Sequence, residues 1–564
     1  MSNSFKPQAI VGLVAVALLL AIFTGMAGAG KNTPRQRSGD TYVEAMVGAP
    51  RFVNPLLAVS DTDTDLVHLV YNGLARVDAS GNLVPDLASG WTPSPDSSVY
   101  TYTLRPDLRW QDGEPLTADD VFFTLKTLLQ DPAFPGDPAL AQHWKGVDIK
   151  LMGTQTVEFT LPAPDASFPQ YTTLGILPRH LWGTVKSADL PSSEYNQAPI
   201  GSGPWRYSQV NTSAATQGPV VSALVTPSAN ALPPSDGVLL EPNEYMPGEE
   251  RKVSRIWFRL YPTFGAALSG LKMGEVHGLG HIPSERVNEV AAVKDVTFHR
   301  EPLARYNMLL LNVQSTIFDK PETRQAFELA IDRDAIARRQ DGEYVPASSP
   351  VLTHSWAYDP SVKSGPYDPA EARRLLDSVG WAVGSDGIRV RNGLTMTVVL
   401  AANKDIPANV TAAKLATDDL RAVGVDARTV LVSREALLHD YLGPRAFHIV
   451  LAGWEANGAD IDVYQYWHSS QAVTGGLNFA GWTNAAADKA LQDGHTNPDH
   501  EARKRAYSDF QRVFAEDVPA IILESPLYTY ATRLPAHGVT LPDSDMMSAA
   551  ARFDTFSTWS LQVP

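Results

Sequence analysis

Trp454, Asn457, Asp460 and Asp462 fall close together in the stretch 447–468, and their types suit holding a ligand. A bulky aromatic beside short polar side chains can cover a solute and fix its orientation through hydrogen bonds. A core tryptophan followed by an ordinary Asx-rich turn gives the same pattern, and the stretch taken alone leaves both readings open. Two other clusters invite a metal reading. Asp61, Asp63 and Asp65 alternate like the start of a calcium loop, but Leu66 stands where that loop needs glycine, and no bidentate glutamate follows. Acids opening a helix account for them better. His277 and His281 are four residues apart, but Gly278 and Gly280 lie between them and no glutamate of the zinc-hydrolase type adjoins. Histidines held by ordinary hydrogen bonds are the expectation there. No metal site, cofactor or catalytic residue is expected.

The exclusions support that reading. The 564 residues contain no cysteine, which removes disulfides, thiol nucleophiles, iron–sulfur clusters and Cys-ligated zinc. There is no Gly-x-Ser-x-Gly elbow and no His-Glu-x-x-His. A secreted hydrolase using a carboxylate pair is the reading from another class, but among 62 acidic residues some close pair is inevitable. The net charge of −16 argues against nucleic-acid binding, which needs a basic face. At this length roughly two to four domains are expected.

The elements that must position these residues can be read along the chain. Lys6 precedes an uncharged apolar run over residues 9–30, long enough for a signal peptide or a membrane anchor, with Ala27-Gly28-Ala29 as a small-residue cleavage site. Residues 1–40 are therefore expected to target the chain for export, and to be its only membrane attachment if uncleaved. Strands are expected at 41–47, 99–104, 157–161, 256–261, 305–312, 396–401, 425–432, 449–452 and 518–523, with an irregular excursion over 213–242. The strand before Trp454 is expected to stop at Gly453. Thr117 caps a helix whose first turn carries Asp119 and Asp120. One helix is expected over 321–338, another opening at Asp368-Pro369 and ending at Gly380, and others over 409–423, 434–442 and 500–515. Strands alternating with helices between 390 and 525 imply an α/β lobe.

Five of these segments, in this order, resemble one family. They are Leu108-Arg-Trp-Gln-Asp-Gly-Glu-Pro-Leu-Thr-Ala-Asp-Asp-Val121; Gly201-Ser-Gly-Pro-Trp205; Leu311-Asn312 with Ala330-Ile-Asp-Arg333; Tyr367-Asp-Pro-Ala-Glu-Ala-Arg-Arg-Leu-Leu376 with Gly380-Trp381; and Tyr507 onward to Glu516-Asp-Val-Pro-Ala-Ile-Ile-Leu523. Together they are similar to the family 5 extracellular solute-binding proteins, the oligopeptide- and dipeptide-binding receptors of ABC importers, over essentially residues 41–560. The resemblance implies an α/β, two-lobed periplasmic-binding-protein type II-like (cluster C) fold. Lobe I would take 41–310 and 527–564, with an extra subdomain inserted at about 93–200. Lobe II would take 311–526, with hinge crossings near 310–313 and 523–527. The implied function is that of an extracytoplasmic, monomeric, non-enzymatic receptor that closes its lobes around a peptide or similar polar organic solute and delivers it to ABC transporter permease subunits.

The same resemblance implies the ligand-binding residues Trp454, Asn457, Asp460, Tyr71, Tyr306, Asn403 and Lys404. In peptide-binding members an aspartate three residues after the tryptophan pairs with the peptide ammonium, and here that position is Asn457. Dipeptide receptors hold the ligand carboxylate with an arginine in the loop that here reads Ala402-Asn403-Lys404-Asp405, where Lys404 is the cation on offer. A neutral or sugar-like ligand, for import or sensing, is the competing expectation. It draws on Asn457 and on the aromatic supply of Trp454, Tyr464, Tyr466 and Trp467.

Overall fold

The computed structural model describes residues 41–211, 236–246, 251–456 and 458–561. The export segment at 9–30, most of the excursion expected over 213–242, and Asn457 lie outside the described residues. No described helix is long and apolar enough to cross a membrane.

One strand organises the fold. Ala520–Arg533 is 14 residues long and buried along most of its length, well beyond the 518–523 segment expected. Its first part pairs antiparallel with Arg305–Leu311, from Ala520 to Glu524. Its second part pairs antiparallel with Val296–Pro302, from Leu527 to Arg533. The chain thus crosses between two halves of a single twelve-stranded sheet. In the second lobe, Arg305–Leu311 pairs with Ile449–Glu455, which runs parallel to Thr397–Asn403, itself parallel to Asp426–Val432. In the first lobe, Thr41–Val47 lies between Gly278–Leu279 and Arg255–Tyr261, and the sheet continues through Gly237–Pro242 to Trp205–Asn211. A separate four-stranded sheet of Ala88–Pro93, Val99–Leu104, Asp148–Leu151 and Thr156–Thr160 packs its apolar face into the first-lobe core.

Both halves of the large sheet are covered on both faces, as strands of continuous apolar character require. Side chains alternate across a strand, and Arg305–Leu311 divides accordingly. Leu309 and Leu311 enter one second-lobe core, whereas Tyr306, Met308 and Leu310 enter the other. In the first lobe, Tyr42 and Met46 face one core while Val43 and Ala45 face the other. The change of strand partner falls at residues 303–304 and 525–526, since Arg305 already pairs with Glu455 and Leu527 with Pro302. The whole run 305–311 pairs with Ile449–Glu455.

Local chemistry explains most helix boundaries. Ser60 caps Asp61–Val70, accepting from the Asp63 amide. Thr117 precedes Ala118–Phe122, and its amide donates to Asp120 at 2.9 Å. Gly201 must be glycine: a Cβ there would lie 1.9 Å from the Val70 carbonyl oxygen, so the Gly-Ser-Gly-Pro-Trp loop lies flat on the end of that helix. The single helix expected over 321–338 is instead two, Pro321–Ala330 and Arg333–Arg338. Asp332 breaks it by accepting from the Ala335 amide at 2.8 Å, a capping bond that favours a fresh start over continuation. Helix Ala485–Thr496, capped by Asn484, was not foreseen.

A buried ionic cluster fastens the C-terminal segment to the first lobe. Arg552, 1% exposed, bonds both oxygens of Asp65 at 2.7 and 2.6 Å and reaches Glu44 at 3.1 Å. His281 lies 3.1 Å from both Asp61 and Asp65. Against the cost of burial, these two carboxylates push the His281 pKa up to about 9. The other histidine of the expected pair, His277, accepts from the Val43 amide at 3.0 Å through Nδ1.

Candidate functional site

The strand carrying Trp454 does not stop at Gly453. It runs through Ile449–Glu455, because Gly453 and Trp454 still pair with Asn307 and Tyr306 on the adjacent strand. That pairing stacks the Trp454 indole on the Tyr306 ring, with centroids 5.0 Å apart and planes 23° apart. Tyr466 meets the same indole edge-on at 6.2 Å. Two rings thus fix the orientation of Trp454, and such pairs are each worth about 0.5–1.5 kcal/mol beyond burial.

Trp454 lines a narrow gap where the lobes meet. Gln170 and Tyr171 form the first-lobe wall, from the short helix Phe168–Thr173. Trp454, Ala456, Asp460, Asp462 and Gln465 form the second-lobe wall. The gap measures 10 Å³, room for about one water. A second gap of 30 Å³ lies between the hairpin residues Val77 and Gly81, the C-terminal residues Ser544 and Asp545, and second-lobe residues including His354 and Ile461. The closure is close-packed. A Cβ at Gly458 would come within 2.4 Å of Gln170 Oε1. The Ala166 amide donates across the lobes to the His495 carbonyl at 2.7 Å.

The charged groups along this seam face one another, three carboxylates against one guanidinium and one imidazole. Asp460 receives two bonds from Arg503, at 2.7 and 2.8 Å. Burial and Asp460 act in opposite directions on Arg503; the carboxylate prevails and raises the guanidinium pKa. Arg503 also lies over the Trp356 ring at 5.0 Å. His495 Nδ1 faces Asp462 at 3.3 Å and Asp165 at 3.8 Å. Burial opposes protonation of His495, but Asp462 and then Asp165 outweigh it and raise its pKa. Asp165 comes from the first lobe, and the three side chains offer ligand atoms within 4.8 Å of one another.

The structure brings together only part of the expected set. Trp454 and Asp460 reach the gap, and Asp460 does so with its charge already used by Arg503. Tyr306 is 1% exposed, bonds the Pro350 carbonyl at 3.2 Å, and acts beneath Trp454. Tyr71 is 5% exposed within the first-lobe core, its hydroxyl on the Val53 carbonyl at 3.4 Å, and it lines neither gap. Asn403 and Lys404 come at the end of Thr397–Asn403, one strand over from Trp454, and line neither gap. Asn403 is spent on its own turn, accepting from the Asp405 amide at 2.9 Å, whereas the Lys404 side chain is exposed. Asn457 lies outside the described residues. The contributions the motifs did not point to are Gln170, Tyr171 and His495. They sit in segments with no motif, and only the meeting of the lobes gives them a role.

Oligopeptide-binding protein AppA of Bacillus subtilis is 26% identical over 536 residues, covering 91% of this chain and 93% of that protein. Its structure in complex with a nonapeptide matches with a TM-score of 0.62 at 23% identity, covering 94% of this chain and all of that one (100%). NikZ from Campylobacter jejuni, in complex with Ni(L-His), matches with a TM-score of 0.64 at 25% identity, covering 93% of this chain and 100% of that one. The profile of the bacterial extracellular solute-binding proteins, family 5 (Middle), matches residues 82–476. The chain belongs to the family 5 bacterial extracellular solute-binding proteins.

Proposed function

We propose that this chain is the extracytoplasmic receptor of an ABC importer, that it encloses a peptide or similar polar organic solute between its lobes, and that it is not an enzyme. The observation that carries this is the seam itself: Trp454, pinned by Tyr306 and Tyr466, faces Gln170 and Tyr171 of the other lobe. We place the lobe boundaries at the changes of strand partner, residues 303–304 and 525–526. Two short crossings through a shared sheet are a hinge. A ligand touching both walls stabilises the closed form by its differential affinity for it. The named relatives bind oligopeptides or, for NikZ, a nickel–histidine complex, and the peptide class is favoured here because AppA is similar over nearly the whole of both chains.

A thermal-shift and calorimetry panel tests the reading. It uses peptides of two to nine residues, maltotriose, and nickel with L-histidine. Peptides are expected to raise the melting temperature, saturably, with the others inert. Stabilisation by maltotriose or by the nickel complex, with every peptide inert, would overturn the peptide assignment while keeping a solute receptor.

A further inference from the structure

The two walls of the Trp454 gap each carry one buried polar group without a partner, and the two are complementary. Trp454 is 5% exposed and its indole N–H, a donor only, meets no acceptor. Gln170 is 3% exposed and its Oε1, an acceptor only, receives no bond. Both line the same gap from opposite lobes. Trp454 is also held in place by its two aromatic neighbours. Buried polar groups are ordinarily hydrogen-bonded, so an unmatched donor and acceptor facing one space point to what fills it. The carboxylates on the rim do not ask for a cation: Asp460 is matched by Arg503 and Asp462 by His495. What remains to be satisfied is neutral.

A trans peptide unit meets both demands at once. Its carbonyl and its N–H lie on opposite sides of the chain, so a peptide lying between the lobes offers an acceptor to one wall and a donor to the other. We propose that Trp454 and Gln170 together read one main-chain peptide unit of the ligand, Trp454 donating to its carbonyl and Gln170 accepting from its N–H. This rests on the peptide reading above and adds which part of the peptide this site holds: main chain, not a charged terminus. The gap admits the chain when the lobes stand a few ångströms further apart, since neighbouring extended chains need about 4.8 Å. Closure then sets both side chains on the same unit, and the contact is indifferent to the ligand's side chains.

Titration calorimetry on the purified protein tests this with tri-, tetra- and penta-alanine, and with analogues in which lactic acid replaces alanine at each position after the first in turn. That replacement changes one amide N–H to an ester oxygen. One ester position is expected to weaken binding about tenfold, the others little. Trp454→Phe, which keeps an aromatic ring, though a smaller one, and deletes the N–H, is expected to weaken the parent peptide about tenfold as well. In Gln170→Leu the sensitive ester should lose no further affinity, because the acceptor it would have faced is gone. Peptide binding with a flat ester scan, or with both variants matching the native protein, sinks the inference and leaves the peptide reading standing. Maltotriose binding in place of every peptide, or no peptide binding at all, sinks both, because a single hydroxyl can satisfy the same donor and acceptor. The ester scan needs no variant, and melting curves of the two variants establish that they fold.

Discussion

Glu524 should make the native protein less stable as pH rises through neutrality, and Glu524→Gln should abolish that dependence. The residue sits on the shared strand just before the lobes change partner, with no exposed surface (0%). Its Oε1 accepts from Gln340 at 3.3 Å and, weakly, from Asn307 at 3.5 Å, while Oε2 has no partner. Arg300 pairs with Glu343 instead. Burial therefore raises the Glu524 pKa from 4.5 to about 7. The folded chain then holds this proton more tightly than the unfolded chain. Its contribution is most favourable below about pH 4.5 and is eroded as pH climbs toward and past 7. At about 1.4 kcal/mol per pKa unit the full swing is about 3 kcal/mol. Between pH 5 and pH 8 it is about 2.5 kcal/mol. A glutamine of the same shape has no such swing. Urea unfolding of both proteins at the two pH values, with matched m-values, measures it. The stability of the variant relative to the native protein should be higher at pH 8 than at pH 5 by about 2–3 kcal/mol. A difference that stays constant within about 0.5 kcal/mol would mean that the carboxyl titrates alike folded and unfolded, and that burial at the hinge does not hold its proton.

Other perturbations follow from the same contacts. Gly458→Ala places a Cβ where Gln170 lies 2.4 Å away in the closed form; ligand-free melting should fall, while calorimetry should show the best peptide of the panel, which holds the walls further apart, binding no more weakly. Arg552→Ala strands Glu44 and Asp65 in the first-lobe core and should cost about 3–5 kcal/mol in urea unfolding; a loss under about 1 kcal/mol would show that the cluster does not fasten the C-terminal segment. The raised pKa of His495 means that its ion-pair contact across the seam with Asp165, shared with Asp462, is fully present below about pH 6.5 and fades as pH rises through the raised value. The ligand-free protein should therefore lose stability as pH rises through that value, and urea unfolding of His495→Gln should not show that loss.

What the sequence made legible divides along physical lines. Local bonds leave local signatures, so Thr117 and Asp368 announce the helices they cap, and the continuous apolar run 308–311 announces a strand covered on both faces. Where a single local bond outcompetes a longer pattern the reading fails, as at Asp332, whose capping of Ala335 splits an otherwise continuous helical stretch. Where pairing continues past an apparent stop it fails too, since Gly453 ends an apolar run but not the ladder that holds Trp454 over Tyr306. The proposed binding seam is the extreme case. Trp454 could be found from its own strand end. Asp460 shared its motif, but whether its charge is free depends on Arg503, on another helix. Gln170 carries no signal in its neighbourhood at all. Its importance comes from facing Trp454 across a boundary between lobes, with an acceptor unmatched on one side and a donor unmatched on the other. Half of that pair is written beside a motif and half is not. A reading confined to motifs will therefore place the anchor of such a receptor and miss its counterpart on the other lobe, where a ligand able to bridge the two would be decided.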